Sequence, residues 1–229
     1  MDHDTEAREE AVEIGEYASP PCFMHELSPD FQPRQERSSA WGDVARWRKA
    51  ERQRLIAARL ALPAGERAAR SERIVAGLDR ALGNVSRRIV AVYWPFRGEP
   101  DLRNWSIRAI ERGGRIALPV VIRNGWPLEF RIWSPGDPLE RGALGILVPS
   151  RGPAVAPDIV VAPVVGFDAA NFRLGYGGGF YDRTLAAMGG GSAMAGRPRT
   201  IGVGYAEARM ATIYPQPHDI PLGEIITDA

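Results

Sequence analysis

The amino-acid sequence predicts an α/β domain built around a mostly parallel sheet. Three short apolar runs, at residues 88–94, 159–165 and 200–205, are rich in β-branched side chains and are typical of buried strands. Predicted helices alternate with predicted strands along the chain, and this alternation favours parallel strands joined by crossover helices. The sequence contains no internal repeat, so we do not expect a solenoid or a propeller.

The remaining elements follow from periodicity and from helix-breaking residues. Residues 43–61 contain no helix breaker and place apolar side chains near one face, which predicts an amphipathic helix. Pro63 and Gly65 end that helix, so a second helix is expected over residues 66–82. The other predicted elements are a helix at 102–112 that ends at Gly113-Gly114, strands at 115–121 and 128–133 paired through the Asn124-Gly125 turn, and a helix that begins at 180.

The composition excludes several classes of protein. The chain has 229 residues and a formal net charge of +1, so no overall field favours nucleic acid or a membrane surface. Cys22 is the only cysteine, which excludes an intrachain disulfide and a zinc site made of several cysteines, and which fits a reducing compartment. Neither a signal peptide nor an apolar run of membrane-spanning length is recognisable. We therefore expect a cytoplasmic protein.

The N-terminal residues 1–40 differ from the rest of the chain. They carry many charges, several prolines and little periodicity. Such a composition predicts an N-terminal extension that is partly disordered or draped over the body of the protein. We expect the α/β domain to occupy residues 41–229.

The main functional signal lies in residues 166–185. This stretch follows a predicted buried strand and ends at a predicted helix N-terminus. Four glycines fall within five positions of it: Gly175, Gly177, Gly178 and Gly179. Backbone amides of such a loop can bind an anion, and the helix dipole strengthens that binding. Arg173 adds a planar cation for phosphate or carboxylate, and Asp182 can hold a metal ion.

Simpler interpretations of this stretch remain open. A flexible glycine loop with a solvated arginine and a helix-capping aspartate would explain the glycines alone. The stretch lacks the Gly-Lys-Ser/Thr of a Walker A loop, and its glycine spacing does not fit a dinucleotide-binding fingerprint. The arginine, the two aromatic rings and the aspartate around the glycines favour an anion site.

The first two predicted helices share a basic character. Their cations are Arg46, Arg48, Lys49, Arg52, Arg54, Arg59, Arg67, Arg70 and Arg73. An RNA-binding helix pair is one interpretation, but Trp47 is the one aromatic residue among these cations, so a solvated basic face is favoured. His218 and Asp219 could form a catalytic dyad, but no serine or cysteine nucleophile has a recognisable setting.

The run FDAANFRLGYGGGFYDRTL at residues 167–185 resembles the signature of the 5-formyltetrahydrofolate cyclo-ligase family, also called methenyltetrahydrofolate synthetases. That signature reads approximately Phe-Asp-x-x-Gly-x-Arg-Leu-Gly-x-Gly-x-Gly-Tyr-Tyr-Asp. The sequence departs from it at Asn171, near a usual glycine, and at Phe180, which keeps the ring of a tyrosine without the hydroxyl. Asparagine tolerates the left-handed region, so we expect the turn to be kept. The resemblance covers residues 45–228 and implies a three-layer α/β/α fold.

The resemblance implies a nucleotide site shared between the first helix and the glycine stretch. Family members carry Lys-x-x-x-Arg on that helix; the arginine corresponds to Arg52 and the lysine to Arg48, unless the register shifts by one residue to Lys49. The implied ATP-binding residues are Arg48, Lys49, Arg52, Arg173, Leu174, Gly175, Tyr176, Gly177, Gly178, Gly179, Phe180 and Tyr181. Arg52 and Arg173 are the implied catalytic cations. The implied Mg²⁺ ligands are Asp182 and Asp219.

The same resemblance implies a folate site at the end of the first strand. Glu99 matches a family glutamate that contacts the folate, and Trp94 matches an apolar residue that packs on it. A carboxylate can accept paired hydrogen bonds from the amino-pyrimidine edge of a pterin. Tyr176 and Tyr181 offer further ring faces for the pterin or the adenine.

These assignments imply ATP-dependent cyclisation of 5-formyltetrahydrofolate to 5,10-methenyltetrahydrofolate, with release of ADP and phosphate. The expected partners are ATP, Mg²⁺ and a reduced folate, without nucleic acid or membrane, and the expected state is a monomer or weak homo-oligomer. The alternative is a diverged paralogue that binds a nucleotide or a folate-like ligand without this activity. The departures from the family pattern that motivate it are Arg48, Pro100, Val148, Asn171 and Phe180.

Overall fold

The computed structural model describes residues 35–189 and 197–229. Most of the predicted N-terminal extension, residues 1–34, lies outside this part of the chain. The described helices are α1 (Gln35–Ala61), α2 (Ala64–Leu82), α3 (Arg103–Glu111) and α4 (Phe180–Ala187). The described strands are β1 (Ile89–Ala91), β2 (Arg115–Val120), β3 (Glu129–Trp133), β4 (Leu139–Arg141), β5 (Leu147–Pro149), β6 (Ile159–Pro163), β7 (Gly166–Phe167), β8 (Arg173–Leu174), β9 (Arg199–Val203) and β10 (Glu224–Ile226).

Six of the described strands form the central sheet, in the order β10-β9-β6-β1-β2-β3. Every neighbouring pair is parallel except β2 and β3, which are antiparallel. The β2–β3 connection contains the predicted turn, in which Gly125 has a φ of 78°. The predicted mostly parallel sheet is therefore confirmed, with one antiparallel strand at its edge.

Alternating side chains of the sheet bury two separate apolar clusters. Val90 belongs to the first cluster, which includes Trp105 of α3 and side chains of α2. Ala91 belongs to the second cluster, which includes Leu55 of α1 and Leu185 of α4. Because successive residues of a strand point to opposite faces, the sheet lies between two helix layers. The three-layer α/β/α fold is therefore confirmed.

Several element boundaries differ from those that the sequence predicts. Helix α1 begins at Gln35, inside the predicted extension, rather than at residue 43. Strands β1 and β6 end two or three residues early, at Ala91 and Pro163. In both places the next amide still donates to a neighbouring strand, from Val92 to the Ala117 oxygen and from Val164 to the Val203 oxygen, both at 3.0 Å. The backbone therefore keeps one hydrogen bond to the sheet beyond each strand before it enters the loops that carry the candidate site.

The short hairpin β7–β8 supports the glycine stretch. Its turn contains Asn171 with a φ of 62°, so the expected left-handed asparagine is confirmed. The Asp168 carboxylate accepts hydrogen bonds from the amides of Ala170 and Phe172 at 3.1 Å, and these bonds hold the turn closed. No described helix is both long enough and apolar enough to cross a membrane.

Candidate active site

The glycine loop, residues 175–179, connects hairpin β7–β8 to helix α4. Gly177 and Gly179 have φ values of 96° and 61°, a region that residues with a Cβ atom rarely adopt. Gly175 is different, because a Cβ atom placed there would meet no heavy atom within 4 Å. The backbone conformation therefore favours glycine at positions 177 and 179, whereas position 175 has open space around it.

The loop also offers hydrogen-bond donors. The amides of Gly177, Gly178 and Gly179 donate no hydrogen bond to any described residue. They lead directly into the first turn of α4, where helical amides lack intrahelical acceptors. A donor-rich loop at a helix N-terminus is suited to a phosphate group.

Helix α1 places Arg52 on this loop and Arg48 near Arg52. Arg52 Nε donates a hydrogen bond to the Gly175 carbonyl oxygen at 2.5 Å. Burial lowers the pKa of Arg52, and the neighbouring charge of Arg48 lowers it further. Lys49 is exposed to solvent. The structure therefore brings Arg48, and not Lys49, together with Arg52.

Arg48 also contacts one of the predicted metal ligands. Its Nε donates to the Ile213 oxygen at 2.9 Å, and its guanidinium forms an ion pair with the Asp219 carboxylate. The side chains of Arg48 and Asp219 are only 13% and 7% exposed, so little water screens this pair. Two residues that the sequence assigns to separate roles are therefore direct neighbours.

Arg173 and Asp182 form a second ion pair. Arg173 Nη2 lies 2.8 Å from Asp182 Oδ1, and Arg173 Nη1 donates to the Ile220 oxygen at 3.0 Å. Asp182 Oδ1 accepts a hydrogen bond from the Ile220 amide at 3.2 Å, so this carboxylate adjoins the segment that carries Asp219. The Arg173 Cζ atom lies 5.7 Å from the ring centroid of Tyr181, whose buried hydroxyl has no hydrogen-bond partner among the described residues. This hydroxyl therefore has unused hydrogen-bonding capacity.

Glu99 lies in the turn that follows β1 and is almost completely buried, with 7% of its surface exposed. Its Oε2 accepts a hydrogen bond from the Phe96 amide at 2.9 Å. Burial raises the pKa of Glu99 to about 7, while Arg59, the Phe96 amide and Tyr176 oppose that shift. The Tyr176 hydroxyl donates to the Phe96 oxygen at 3.4 Å, so the glycine stretch reaches the turn that carries Glu99.

Two buried residues near the site were not among the predicted site residues. Arg59 of α1 donates to the Arg97 oxygen at 2.8 Å and also to the Tyr176 hydroxyl. Asp168 accepts a hydrogen bond from the Ile213 amide at 3.2 Å and so ties hairpin β7–β8 to the segment that holds Arg48. The spacing of Arg59 from Arg52 and Leu55 on one helical face is a signal that could have identified it.

The other predicted site residues pack against the two apolar clusters or, for Phe180, against the Arg183 guanidinium. Trp94 packs against the first apolar cluster and meets Trp133 edge to face at 5.7 Å, whereas Tyr176 and Tyr181 pack against the second. Leu174 is buried in the second cluster and anchors the start of the glycine loop. Phe180 lies under the guanidinium of Arg183, with 5.2 Å between Arg183 Cζ and the ring centroid.

The donor set fits a nucleotide better than an isolated metal ion. The open space at Gly175, the free loop amides and the cations of α1 together suit a polyphosphate. Among residues 35–189 and 197–229, no cluster of three or more His, Cys, Asp or Glu side chains could hold a metal ion alone. Asp182 and Asp219 could ligate Mg²⁺ only together with phosphate and water oxygens, which is how Mg²⁺ commonly binds beside nucleotides.

Known proteins resemble this chain in both sequence and structure. The profile of the 5-formyltetrahydrofolate cyclo-ligase family matches residues 44–228. A 5-formyltetrahydrofolate cyclo-ligase of Escherichia coli (strain K12) is 32% identical over 151 residues, which cover 62% of this chain and 79% of that protein. The protein of the same name from Mycolicibacterium smegmatis is 29% identical over 154 residues, which cover 62% of this chain and 75% of the relative.

Two solved structures share the fold. The NMR structure of Aquifex aeolicus 5,10-methenyltetrahydrofolate synthetase has a TM-score of 0.65 and 27% identity, covering 79% of this chain and 89% of that chain. A 5,10-methenyltetrahydrofolate synthetase from Mycoplasma pneumoniae has a TM-score of 0.63 and 23% identity, covering 80% and 99%. Since the family profile spans the whole α/β body around the glycine loop, this chain belongs to the 5-formyltetrahydrofolate cyclo-ligase family.

Proposed function

We propose that this protein catalyses the ATP-dependent cyclisation of 5-formyltetrahydrofolate to 5,10-methenyltetrahydrofolate, with release of ADP and phosphate. The proposal is supported by the family to which the chain belongs and by relatives named 5-formyltetrahydrofolate cyclo-ligase or 5,10-methenyltetrahydrofolate synthetase. The observation that carries it is the position of Tyr176, which belongs to the glycine stretch and reaches the turn of Glu99 through the Phe96 oxygen at 3.4 Å. A phosphate donor and a folate can therefore meet at one place.

In this proposal the glycine loop binds the phosphates of ATP. The amides of Gly177 to Gly179 donate to phosphate oxygens, and the open space at Gly175 admits them close to the backbone. Arg52, already bonded to the loop through Gly175, neutralises their charge. Arg173 is the second catalytic cation.

Asp182 and Asp219 are the proposed ligands for Mg²⁺. Each now contacts a guanidinium group, Asp182 that of Arg173 and Asp219 that of Arg48. These carboxylates would hold Mg²⁺, and the neighbouring guanidinium groups of Arg173 and Arg48 would donate to the phosphate oxygens. The two ion pairs therefore bring together the groups that would bind ATP and Mg²⁺.

The folate is proposed to bind beside Glu99. Its ionised carboxylate accepts hydrogen bonds from the pterin, and the buried Tyr181 hydroxyl offers a further donor. The formyl oxygen is a poor leaving group until it is phosphorylated; N10 then attacks the formyl carbon, loses its proton, and the oxygen leaves as phosphate. Such chemistry needs mainly positioning and charge neutralisation, which the buried cations supply.

The test is a spectroscopic assay of methenyl product with ATP, Mg²⁺ and 5-formyltetrahydrofolate. We expect turnover by the wild-type chain, a large loss of kcat/KM in Arg52→Met, and little change in Arg54→Met. Arg54 is a suitable control because it lies on the same helix, is exposed and pairs with Glu51. Absence of turnover at every enzyme concentration would contradict the proposal and favour a diverged binding protein.

We further propose that the protein acts in the cytoplasm, where ATP and reduced folates are available, as a monomer or weak homo-oligomer without a nucleic-acid partner. Several helix cations are already paired within the chain, among them Arg46 with Asp43 and Arg70 with Glu66. Such pairing reduces the charge available to a phosphate backbone. Light scattering after size exclusion tests the oligomeric state.

A further inference from the structure

Arg59 is a buried cation of α1 that the proposed reaction does not yet use. Its residue surface is 6% exposed, which is rare for arginine. A buried charge is tolerated where hydrogen bonds satisfy it, and Arg59 makes such bonds to the Arg97 oxygen and to the Tyr176 hydroxyl. Its Cζ atom lies 5.9 Å from the Tyr176 ring centroid. Arg59 therefore contacts both the glycine stretch and the turn after β1.

We infer that Arg59 is a positioning residue that fixes Tyr176 against the turn at residues 96–99 and so holds Glu99 in place as the hydrogen-bond acceptor for the folate. This inference rests on the proposed function, because it deepens the role given there to Glu99.

The geometry of the turn shows why it needs such support. Arg97 has a φ of 47°, a left-handed conformation that costs a residue with a Cβ atom about 1 kcal/mol or more unless its surroundings hold it. Three side chains donate hydrogen bonds to successive carbonyl oxygens of this turn. They are Tyr176 on Phe96 at 3.4 Å, Arg59 on Arg97 at 2.8 Å and Tyr205 on Gly98 at 3.1 Å. Of these three, only Arg59 carries a charge that can also act on Glu99.

The electrostatics of Glu99 agree with this role. Burial raises its pKa to about 7, and Arg59 is the strongest of the influences that lower it. The other ionisable groups that act on Glu99 are Tyr93, Tyr176 and Tyr181, whose own pKa values burial raises, so they are neutral near pH 7. Arg59 is the only cation in this set. Its removal should therefore disfavour the ionised carboxylate and leave the turn less constrained.

The experiment compares the full-length wild type with Arg59→Met, Arg59→Lys and the control Arg54→Met. We expect kcat/KM for 5-formyltetrahydrofolate to fall below about pH 7 in the wild type, and this acid limb to move up by about one unit in Arg59→Met. At pH 7 the kcat/KM of Arg59→Met for the folate should be about ten- to a hundredfold lower than that of the wild type, mainly because KM rises. The KM for ATP should change little, and Arg59→Lys should recover part of the loss.

A second measurement does not depend on turnover. The carboxyl ¹³C signal of Glu99, assigned with Glu99→Gln, should titrate at higher pH in Arg59→Met than in the wild type. An unchanged midpoint and an unchanged acid limb would overturn the inference while leaving the reaction of the wild type intact. A wild type without turnover would instead overturn the proposed function, and the NMR midpoint would still decide the effect of Arg59 on Glu99.

Discussion

Glycines of the same loop serve different physical purposes. Gly177 has a φ of 96°, and a Cβ atom there would also lie 3.4 Å from the Arg52 guanidinium. Gly175 has neither constraint, since a Cβ atom would meet no heavy atom within 4 Å. If backbone conformation were the reason for glycine at both positions, substitution by alanine would change the stability equally at both.

We predict that Gly177→Ala lowers the free energy of unfolding by about 1–3 kcal/mol because it forces alanine into a left-handed conformation. Gly175→Ala should leave it unchanged or raise it by up to about 1 kcal/mol, since alanine restricts the unfolded chain. The same Gly175→Ala change should raise the KM for ATP several-fold, because its methyl group would occupy the space proposed for phosphate. Urea unfolding and steady-state kinetics measure both effects. Equal stability losses in the two variants would contradict this assignment.

The burial of Glu99 predicts a pH-dependent stability. Its pKa rises from an ordinary 4.5 to about 7 in the folded protein, so the folded state holds this proton more tightly than the unfolded state does. The stabilising contribution is fully present below pH 4.5 and is lost as the pH rises through 7. Glu99→Gln should therefore gain stability relative to the wild type between pH 4.5 and pH 8, by up to about 3 kcal/mol. A gain that does not change with pH would show that Glu99 keeps its ordinary pKa.

Some residues near the site were predictable from the sequence, and others were not. The left-handed Asn171 was predictable because asparagine tolerates that conformation and stands near a usual glycine of the signature. Arg59 was not predicted as a site residue, since its residue type suggests a solvated side chain. Its helical spacing from Arg52 and Leu55 indicates an inward face, but its partners, the Tyr176 hydroxyl and the Arg97 carbonyl oxygen, are known only from the fold. Contacts between residues that are distant in sequence determine which arginine side chains are buried.

At the scale of elements, helix α1 is joined to the C-terminal segment through Arg48. Its guanidinium bonds the Ile213 oxygen and pairs with Asp219, while Trp47 meets the Tyr214 ring edge to face at 4.9 Å. The first helix and the last loop of the fold are therefore joined beside the proposed phosphate site.

We predict strong coupling between Arg48 and Asp219. A double-mutant cycle with Arg48→Met and Asp219→Asn should give a coupling energy of about 1–3 kcal/mol in unfolding, because both side chains are largely removed from water. The matched control is Arg46 with Asp43 on the same helix, whose side chains are 76% and 66% exposed. Its coupling should stay below about 0.5 kcal/mol. Comparable values for the two pairs would mean that burial does not strengthen the Arg48 pair.

Element prediction succeeded where a helical period or an apolar run marks an element, and it failed where neither is recognisable. Helices α1 and α2 and the sheet strands β1, β2, β3, β6 and β9 were all expected, and β1 was expected from the run at 88–94 although it has only three residues. The pairs β4–β5 and β7–β8 were not, because strands of two or three residues carry no measurable alternation. Their existence depends on pairing partners that only the folded chain brings together.

At the scale of the whole molecule, the fold brings distant parts of the chain to one place. Arg52 comes from α1, Glu99 from the turn after β1, and Gly175 from the loop before α4. The carboxyl ends of parallel strands lead into such loops, which explains why ligands bind there in open α/β sheets. The sequence motif identified the glycine loop, but only the fold shows that Tyr176 links it to the turn of Glu99.

This arrangement predicts that two ligands stabilise the folded chain independently. At a concentration of about 100 times its Kd, ATP with Mg²⁺ or 5-formyltetrahydrofolate should each add about 2.7 kcal/mol to the free energy of unfolding. For a domain of this size that corresponds to a rise in Tm of about 5–11 °C. Arg52→Met should lose most of the ATP shift and keep the folate shift, because Arg52 contacts the glycine loop and not the turn of Glu99. Stabilisation of the wild type by only one of the two ligands would indicate a paralogue that has kept one half of the site.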